Sequence, residues 1–216
     1  MNKVAVVDYG MGNLHSVAKA IEHCGEPAEI IVTGDADLIR AADRVVFPGV
    51  GAIRDCIQGL RDQGLDTVLR EGVRSKPLLG VCVGMQALMD FSVENNGVQC
   101  LGIVHGQVNK FTDAFKQAGV TEHLKVPHMG WNQVRQRLAH PLWRGIGDNS
   151  RFYFVHSYYV QPAGEEDVMA WCDYGIPFAA AVARDNVFAV QFHPEKSQHD
   201  GLALYANFLR WNGETP

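Results

Sequence analysis

A chain of 216 residues, 47% of them hydrophobic and 20% charged, is long enough for one sizeable core and short for two, so a single domain over residues 1–216 is expected. The formal charge of −5, with Lys and Arg scattered among more numerous acids, leaves no basic footprint and argues against nucleic acid or an anionic membrane as partner. Cys24, Cys56, Cys82, Cys100 and Cys172 are odd in number and form no C-x-x-C pair, which argues against a disulfide framework or a zinc site, so no metal is expected.

Residues 4–7 read as a strand that starts too close to Met1 to leave room for a leader peptide, and no apolar run approaches membrane-spanning length. A reducing, cytoplasmic location is expected. The turn Gly10-Met11-Gly12-Asn13 superficially suggests a dinucleotide loop, but the third glycine of that pattern would fall at His15, and a turn needing glycine's freedom is the better reading. A helix over 14–23 follows, then strands over 29–32 and 44–47, helices over 53–63 and 65–74, and a strand over 78–81. Strands alternating with helices predict right-handed crossovers and a parallel sheet covered on both faces. After Gly102 the texture changes: residues 104–111, 130–134, 152–159, 168–171, 178–183 and 187–192 read as short strands with few helices between them, hence antiparallel additions to the sheet. The polar stretch 112–125 reads as a loop. A last helix over 201–211 places Leu202, Tyr205, Phe208 and Leu209 on one face. The fold class is α/β, an open, mostly parallel sheet with flanking helices and antiparallel additions.

Chemistry concentrates in Gly80-Val81-Cys82-Val83-Gly84, where an apolar strand meets a helix at a cysteine between two glycines. This is the nucleophile-elbow pattern with sulfur in place of a serine hydroxyl; the glycines relieve crowding in a tight turn, and the helix start favours negative charge beside Cys82. A buried structural cysteine in a glycine turn is the competing reading until a base is found. Far downstream, an apolar run stops at His193-Pro194-Glu195, since Pro194 cannot continue a central strand. Cys82 and His193 both fall at predicted carboxyl ends of strands, where sites gather in open parallel sheets, and Glu195 is near enough to orient the imidazole. The three suggest a Cys-His-Glu triad. Glycines on both sides of Val50, in Pro48-Gly49-Val50-Gly51, let that peptide change orientation at modest steric cost.

These segments, with Phe192-His193-Pro194-Glu195-Lys196-Ser197, closely resemble the class I (triad-type) glutamine amidotransferases. Within that group Asp8-Tyr9-Gly10-Met11-Gly12-Asn13-Leu14, Pro127-His128-Met129-Gly130-Trp131-Asn132 and Phe152-Tyr153-Phe154-Val155-His156-Ser157-Tyr158 are similar to the glutaminase subunits of imidazole glycerol phosphate synthases. The likeness runs from near residue 3 to near residue 211; Val83, where leucine is more usual, and His105 are small departures. The resemblance implies a flavodoxin-like sheet and hydrolysis of L-glutamine to glutamate and ammonia through a Cys82 thioester, with His193 relaying the proton, Glu195 orienting it and no cofactor. It implies an oxyanion site made by the Val83 N–H and a peptide among Gly49, Val50 and Gly51. Gln86, Glu94, Ser157 and Tyr158 would hold the glutamine's α-amino and α-carboxylate groups. Asn13, Met129, Trp131, Tyr153 and Lys196 would face a cyclase subunit, the heterodimer partner that uses the ammonia in histidine biosynthesis. A related subunit serving another synthase, as in surface-sugar biosynthesis, is the alternative.

Overall fold

The computed structural model describes residues 2–72 and 75–214. Its first half is built of β1 (Asn2–Val7), α1 (Leu14–Glu22), β2 (Ala28–Thr33), α2 (Ala36–Ala41), β3 (Arg44–Gly49), α3 (Ile53–Asp62), α4 (Leu65–Gly72), β4 (Leu78–Cys82) and α5 (Val83–Ala87). Val4 to Val7, Val45 to Phe47 and Leu78 to Val81 are buried end to end, as strands become when helices cover both faces of a sheet. The second half follows as β5 (Phe91–Ser92), β6 (Val98–Gln99), β7 (Gly106–Lys110), α6 (Phe111–Gln117), β8 (His128–Gln136), β9 (Ser150–His156), β10 (Tyr158–Pro162), β11 (Val168–Tyr174), β12 (Ile176–Arg184), β13 (Val187–Val190) and α7 (Gln198–Arg210).

Nine strands form one sheet in the order β2-β1-β3-β4-β13-β12-β11-β8-β9. The first five pair in parallel and the remainder antiparallel. Register sets Gly49 opposite Cys82 and Val190 opposite Val81, so the carboxyl ends of β3, β4 and β13 meet in one place. Among the described residues, no helix is long and apolar enough to cross a membrane, and no group of three or more His, Cys, Asp or Glu could hold a metal ion.

Several elements differ from expectation. A second sheet, β10-β7-β5-β6, exists because the stretch read as one strand over 152–159 breaks at Ser157, leaving β9 in the large sheet and sending β10 to pair with β7. The stretch read as a loop over 112–125 begins as helix: Phe111 is fully buried, and Phe115 one turn later packs on it at 5.4 Å between ring centroids. Helix α2 was not expected; Asp35 starts it by accepting from the N–H groups of Asp37 (2.8 Å) and Leu38 (3.1 Å). In α7, Leu202 is half-buried, whereas Leu204 and Asn207 are buried with Tyr205, Phe208 and Leu209, because Asn207 ties the carbonyls of Leu142 and Arg144 over the helix. The predicted helix over 65–74 ends with Val73 and Arg74, which lie outside the described residues.

Candidate active site

Strand β4 delivers Cys82 with φ 55° and ψ −110°, a strained conformation for a residue with a side chain, and α5 begins at the next residue. The flanking glycines are required by contact. A Cβ on Gly84 would lie 2.0 Å from the Phe47 carbonyl oxygen, and one on Gly80 would come within 3.0 Å of Ala189 and Leu88. Gly84→Ala is therefore expected to push β3 off the elbow and cost about 3 kcal/mol, since no rotamer relieves a backbone clash. Urea unfolding checks this, and a wild-type midpoint would contradict the packing.

Beyond β13 the chain turns through Gln191 and Phe192 to His193, and one 3-10 turn, Pro194–Lys196, folds Glu195 back beneath the imidazole. His193 Nδ1 lies 2.9 Å from Glu195 Oε1, and the Glu195 side chain is only 1% exposed. The turn is fastened to β9: the His193 N–H donates to the Tyr153 carbonyl (2.9 Å), while the Ser197 hydroxyl donates to the His193 carbonyl (2.7 Å) and accepts from the Tyr153 N–H (3.0 Å). His193 Nε2 makes no well-aligned hydrogen bond, yet it is close enough to Cys82 for the sulfur's charge to act on it. Burial alone would push the imidazole pKa down, but the Cys82 sulfur and then Glu195 outweigh it and raise the value to about 10.

Cys82 and His193 open into a cavity of about 380 Å³, which Val50, Gly51, Val83, Gln86, Glu94, Ser157, Tyr158 and Lys196 also line. Gly49 sits beneath, opposite Cys82, and Glu195 lies behind His193. Gln86, 4% exposed, spends both amide hydrogens inside the protein, on the Tyr158 carbonyl (3.1 Å) and Gln191 Oε1 (3.0 Å). Glu94 accepts from the Ile53 N–H at 3.0 Å and so also anchors the start of α3, just after the Pro48–Gly51 segment. That segment carries Gly51 at φ +79°, and its Pro48 carbonyl accepts from the buried Tyr9 hydroxyl at 3.2 Å.

Met129 (63% exposed) and Trp131 (43%) lie outside the cavity on β8, with Trp131 in register with Tyr153 of β9 and edge-on to its ring at 6.2 Å. Lys196 Nζ stands 5.6 Å from the same Tyr153 ring, linking the exposed aromatic patch to the cavity wall. Asn13 opens α1, a helix packed on the Pro194–Lys196 turn, with no side-chain cap bond. Sequence reasoning missed Pro127 and His156, which line the cavity, and Gln191, whose amide lies 3.6 Å from the Cys82 sulfur. For Gln191 the signal was its place two residues before His193; Pro127 and His156 stood within the 127–132 and 152–158 segments that carry the resemblance.

The family model for class-I glutamine amidotransferases matches residues 5–211. Over 213 residues the chain is 57% identical to "Imidazole glycerol phosphate synthase subunit HisH 1" of Pseudomonas aeruginosa, covering 99% of each chain. It is 58% identical over 212 residues to "Imidazole glycerol phosphate synthase subunit HisH" of Methylococcus capsulatus, covering 98% of this chain and 97% of that one. Among solved structures, a glutamine amidotransferase superposes with TM-score 0.70 at 20% identity over 96% of this chain and 97% of that one, and PurLQS of Thermotoga maritima with TM-score 0.70 at 16% identity over 97% and 99%. At those identities the superpositions speak for the fold.

Proposed function

The chain belongs to the class-I glutamine amidotransferases, and from that premise we propose that it works in the cytoplasm as the glutaminase subunit of an imidazole glycerol phosphate synthase. The observation that carries the mechanism is the buried His193–Glu195 pair set against Cys82 at the floor of a cavity. Cys82 sulfur attacks the side-chain amide carbon of L-glutamine, whose α-amino and α-carboxylate groups are held by Gln86, Glu94, Ser157 and Tyr158. The oxyanion is received by the Val83 N–H and a peptide of the Gly49-Val50-Gly51 segment; one such donor is worth roughly 3 kcal/mol. His193 takes up the Cys82 thiol proton and passes it to the departing nitrogen, and ammonia leaves with it. Once the sulfur is tied up as a thioester its charge no longer raises the His193 pKa, so the now neutral ring can take a proton from water, which hydrolyses the thioester to glutamate.

Ammonia released into bulk water becomes non-nucleophilic ammonium, so it passes to a cyclase subunit docked against Asn13, Met129, Trp131, Tyr153 and Lys196, where imidazole glycerol phosphate and an aminoimidazole carboxamide ribotide are formed. An exposed Trp flanked by polar groups is suitable hot-spot chemistry for that contact. Glutamate release, assayed with the histidine-pathway cyclase and with other synthase partners, tests the reading; activation only by a different synthase would overturn it.

A freely running glutaminase would waste glutamine, so the isolated chain is expected to be nearly inactive until a liganded cyclase docks and reorients the segment around Val50. A shift from 1:99 to 99:1 requires roughly 5.5 kcal/mol of preference for the active form. Gly51→Pro is expected to cripple activation more than partner affinity, because proline cannot adopt the φ of +79° seen at Gly51 and lacks the N–H. Glutaminase rates at saturating cyclase, with and without its ligand, check this. Full activity of the isolated subunit would defeat the idea.

A further inference from the structure

The cavity wall contains a polar chain that runs through Gln86 and the Tyr158 carbonyl to three residues, His128, His156 and Gln191, that the triad mechanism does not use. Asn132 on β8 donates to His128 Nε2 (3.2 Å), His128 Nδ1 lies 3.0 Å from His156 Nε2, and His156 Nδ1 lies 2.8 Å from the Tyr158 carbonyl. Gln86 donates to that same carbonyl and to Gln191 Oε1, and Gln191 donates to the Cys82 sulfur at 3.6 Å.

Proton order along this chain is dictated by chemistry. A carbonyl only accepts, so His156 carries its hydrogen on Nδ1 and accepts at Nε2; His128 must then donate from Nδ1 and accept from Asn132 at Nε2. Asn132 is itself oriented, donating to the Asp173 carbonyl (2.9 Å) and accepting from the Gln133 N–H (2.8 Å). Every ring nitrogen of the pair is satisfied in one tautomer, and a second proton on either ring would set a donor against a donor. Burial keeps that proton away: it pushes His128 down to about 4 and His156 down to about 3. Tyr174, stacked on His128 at 4.1 Å, and His193 are the titratable neighbours of the pair. His193 and Tyr9 are those of the sulfur.

Gln191 is fully buried, and with its oxygen occupied by Gln86 its amide can present only N–H to the sulfur. We propose that Gln191 is a further catalytic residue that donates to the Cys82 thiolate and aims it, and that His128 and His156 are positioning residues that act on it through Gln86. The proposal rests on the glutaminase reading and adds to it a donor at the nucleophile and a physical link from β8, the strand bearing Met129 and Trp131, to that donor.

The test follows iodoacetamide alkylation of Cys82 against pH, read by peptide mass spectrometry because Cys24 is also partly accessible, together with glutamate release in the presence of the cyclase. Gln191→Leu is expected to move the alkylation midpoint upward by about one unit or more and to lower kcat by about tenfold to a hundredfold, the worth of a hydrogen bond to a charged group. Gln191→Met, close in size and without an N–H or a charge, serves if the leucine variant does not fold, with the same direction expected. His128→Phe, which fits the aromatic surroundings but removes the donor to His156, is expected to shift the midpoint in the same sense by less, and non-additively with Gln191→Leu. An unchanged midpoint in both Gln191 variants overturns the proposal while leaving the glutaminase reading intact. Additive effects overturn the part assigned to the histidine pair. A wild-type chain that alkylates normally but releases no glutamate overturns the reading and the proposal together.

Discussion

Cys82→Ala is expected to lower glutamine hydrolysis by about ten-thousandfold or more while leaving the fold and partner binding unchanged. The magnitude is that of removing a nucleophile from a cooperative triad, where nothing else can form the covalent intermediate. Folding should survive because the lost atom is a single sulfur at a cavity wall, and alanine tolerates φ 55° no worse than cysteine does. A second signature follows from electrostatics. Since the sulfur is the largest influence raising the His193 pKa, its removal should let that ring titrate well below about 10, with burial then opposed by Glu195 alone. Glutamate release measured with saturating cyclase, and ring titration by NMR, check both parts. Hydrolysis by Cys82→Ala near the wild-type rate would end the thioester mechanism.

His193→Asn is expected to cost about a thousandfold or more, because in the proposed mechanism the same ring gives the proton to ammonia and later takes one from water, and proton transfer of this kind contributes roughly 10² to 10⁴. If acylation persists at a residual rate, the thioester should accumulate and show as a mass increase on the intact chain. Glu195→Gln is expected to lose less, about tenfold to a hundredfold. The amide keeps an oxygen for His193 Nδ1 but loses the charge that helps hold the imidazolium. Steady-state kinetics of both variants, with intact-mass measurement, decide the matter; small and equal losses would remove the triad.

How much of this was legible in the chain depends on how local each signal is. Strand, cysteine and helix at 78–87 occupy consecutive residues, and the stop at His193-Pro194 is imposed by proline's missing N–H, so neither needs tertiary context. Alternating strands and helices up to Cys82 likewise state their parallel pairing through periodicity and connection length. The amphipathic signal at residues 111–117 is carried mainly by Phe111 and Phe115 and is swamped by polar neighbours, so helix α6 leaves little trace in the sequence. The break at Ser157 is invisible because residues on both sides have strand character, and only pairing partners distinguish β9 from β10.

By itself the sequence pointed to the elbow and to Cys82, His193 and Glu195 as a candidate triad, because each is a short pattern whose chemistry requires those residue types at those spacings, and its motifs carried the resemblance to the family. Tertiary structure alone decided which polar groups meet around them. Gln191 reaches Cys82 across 109 positions, Gln86 reaches Gln191 across 105, and His128 meets His156 across 28. Such contacts leave no periodic trace, because a side-chain hydrogen bond depends on the register and packing of strands distant in the chain. The Gly84 approach to the Phe47 carbonyl, the Glu94 anchor on Ile53 and the proton order of the histidine pair are of the same kind. They exist only once β3, β4, β8, β9 and β13 have taken their places in the sheet.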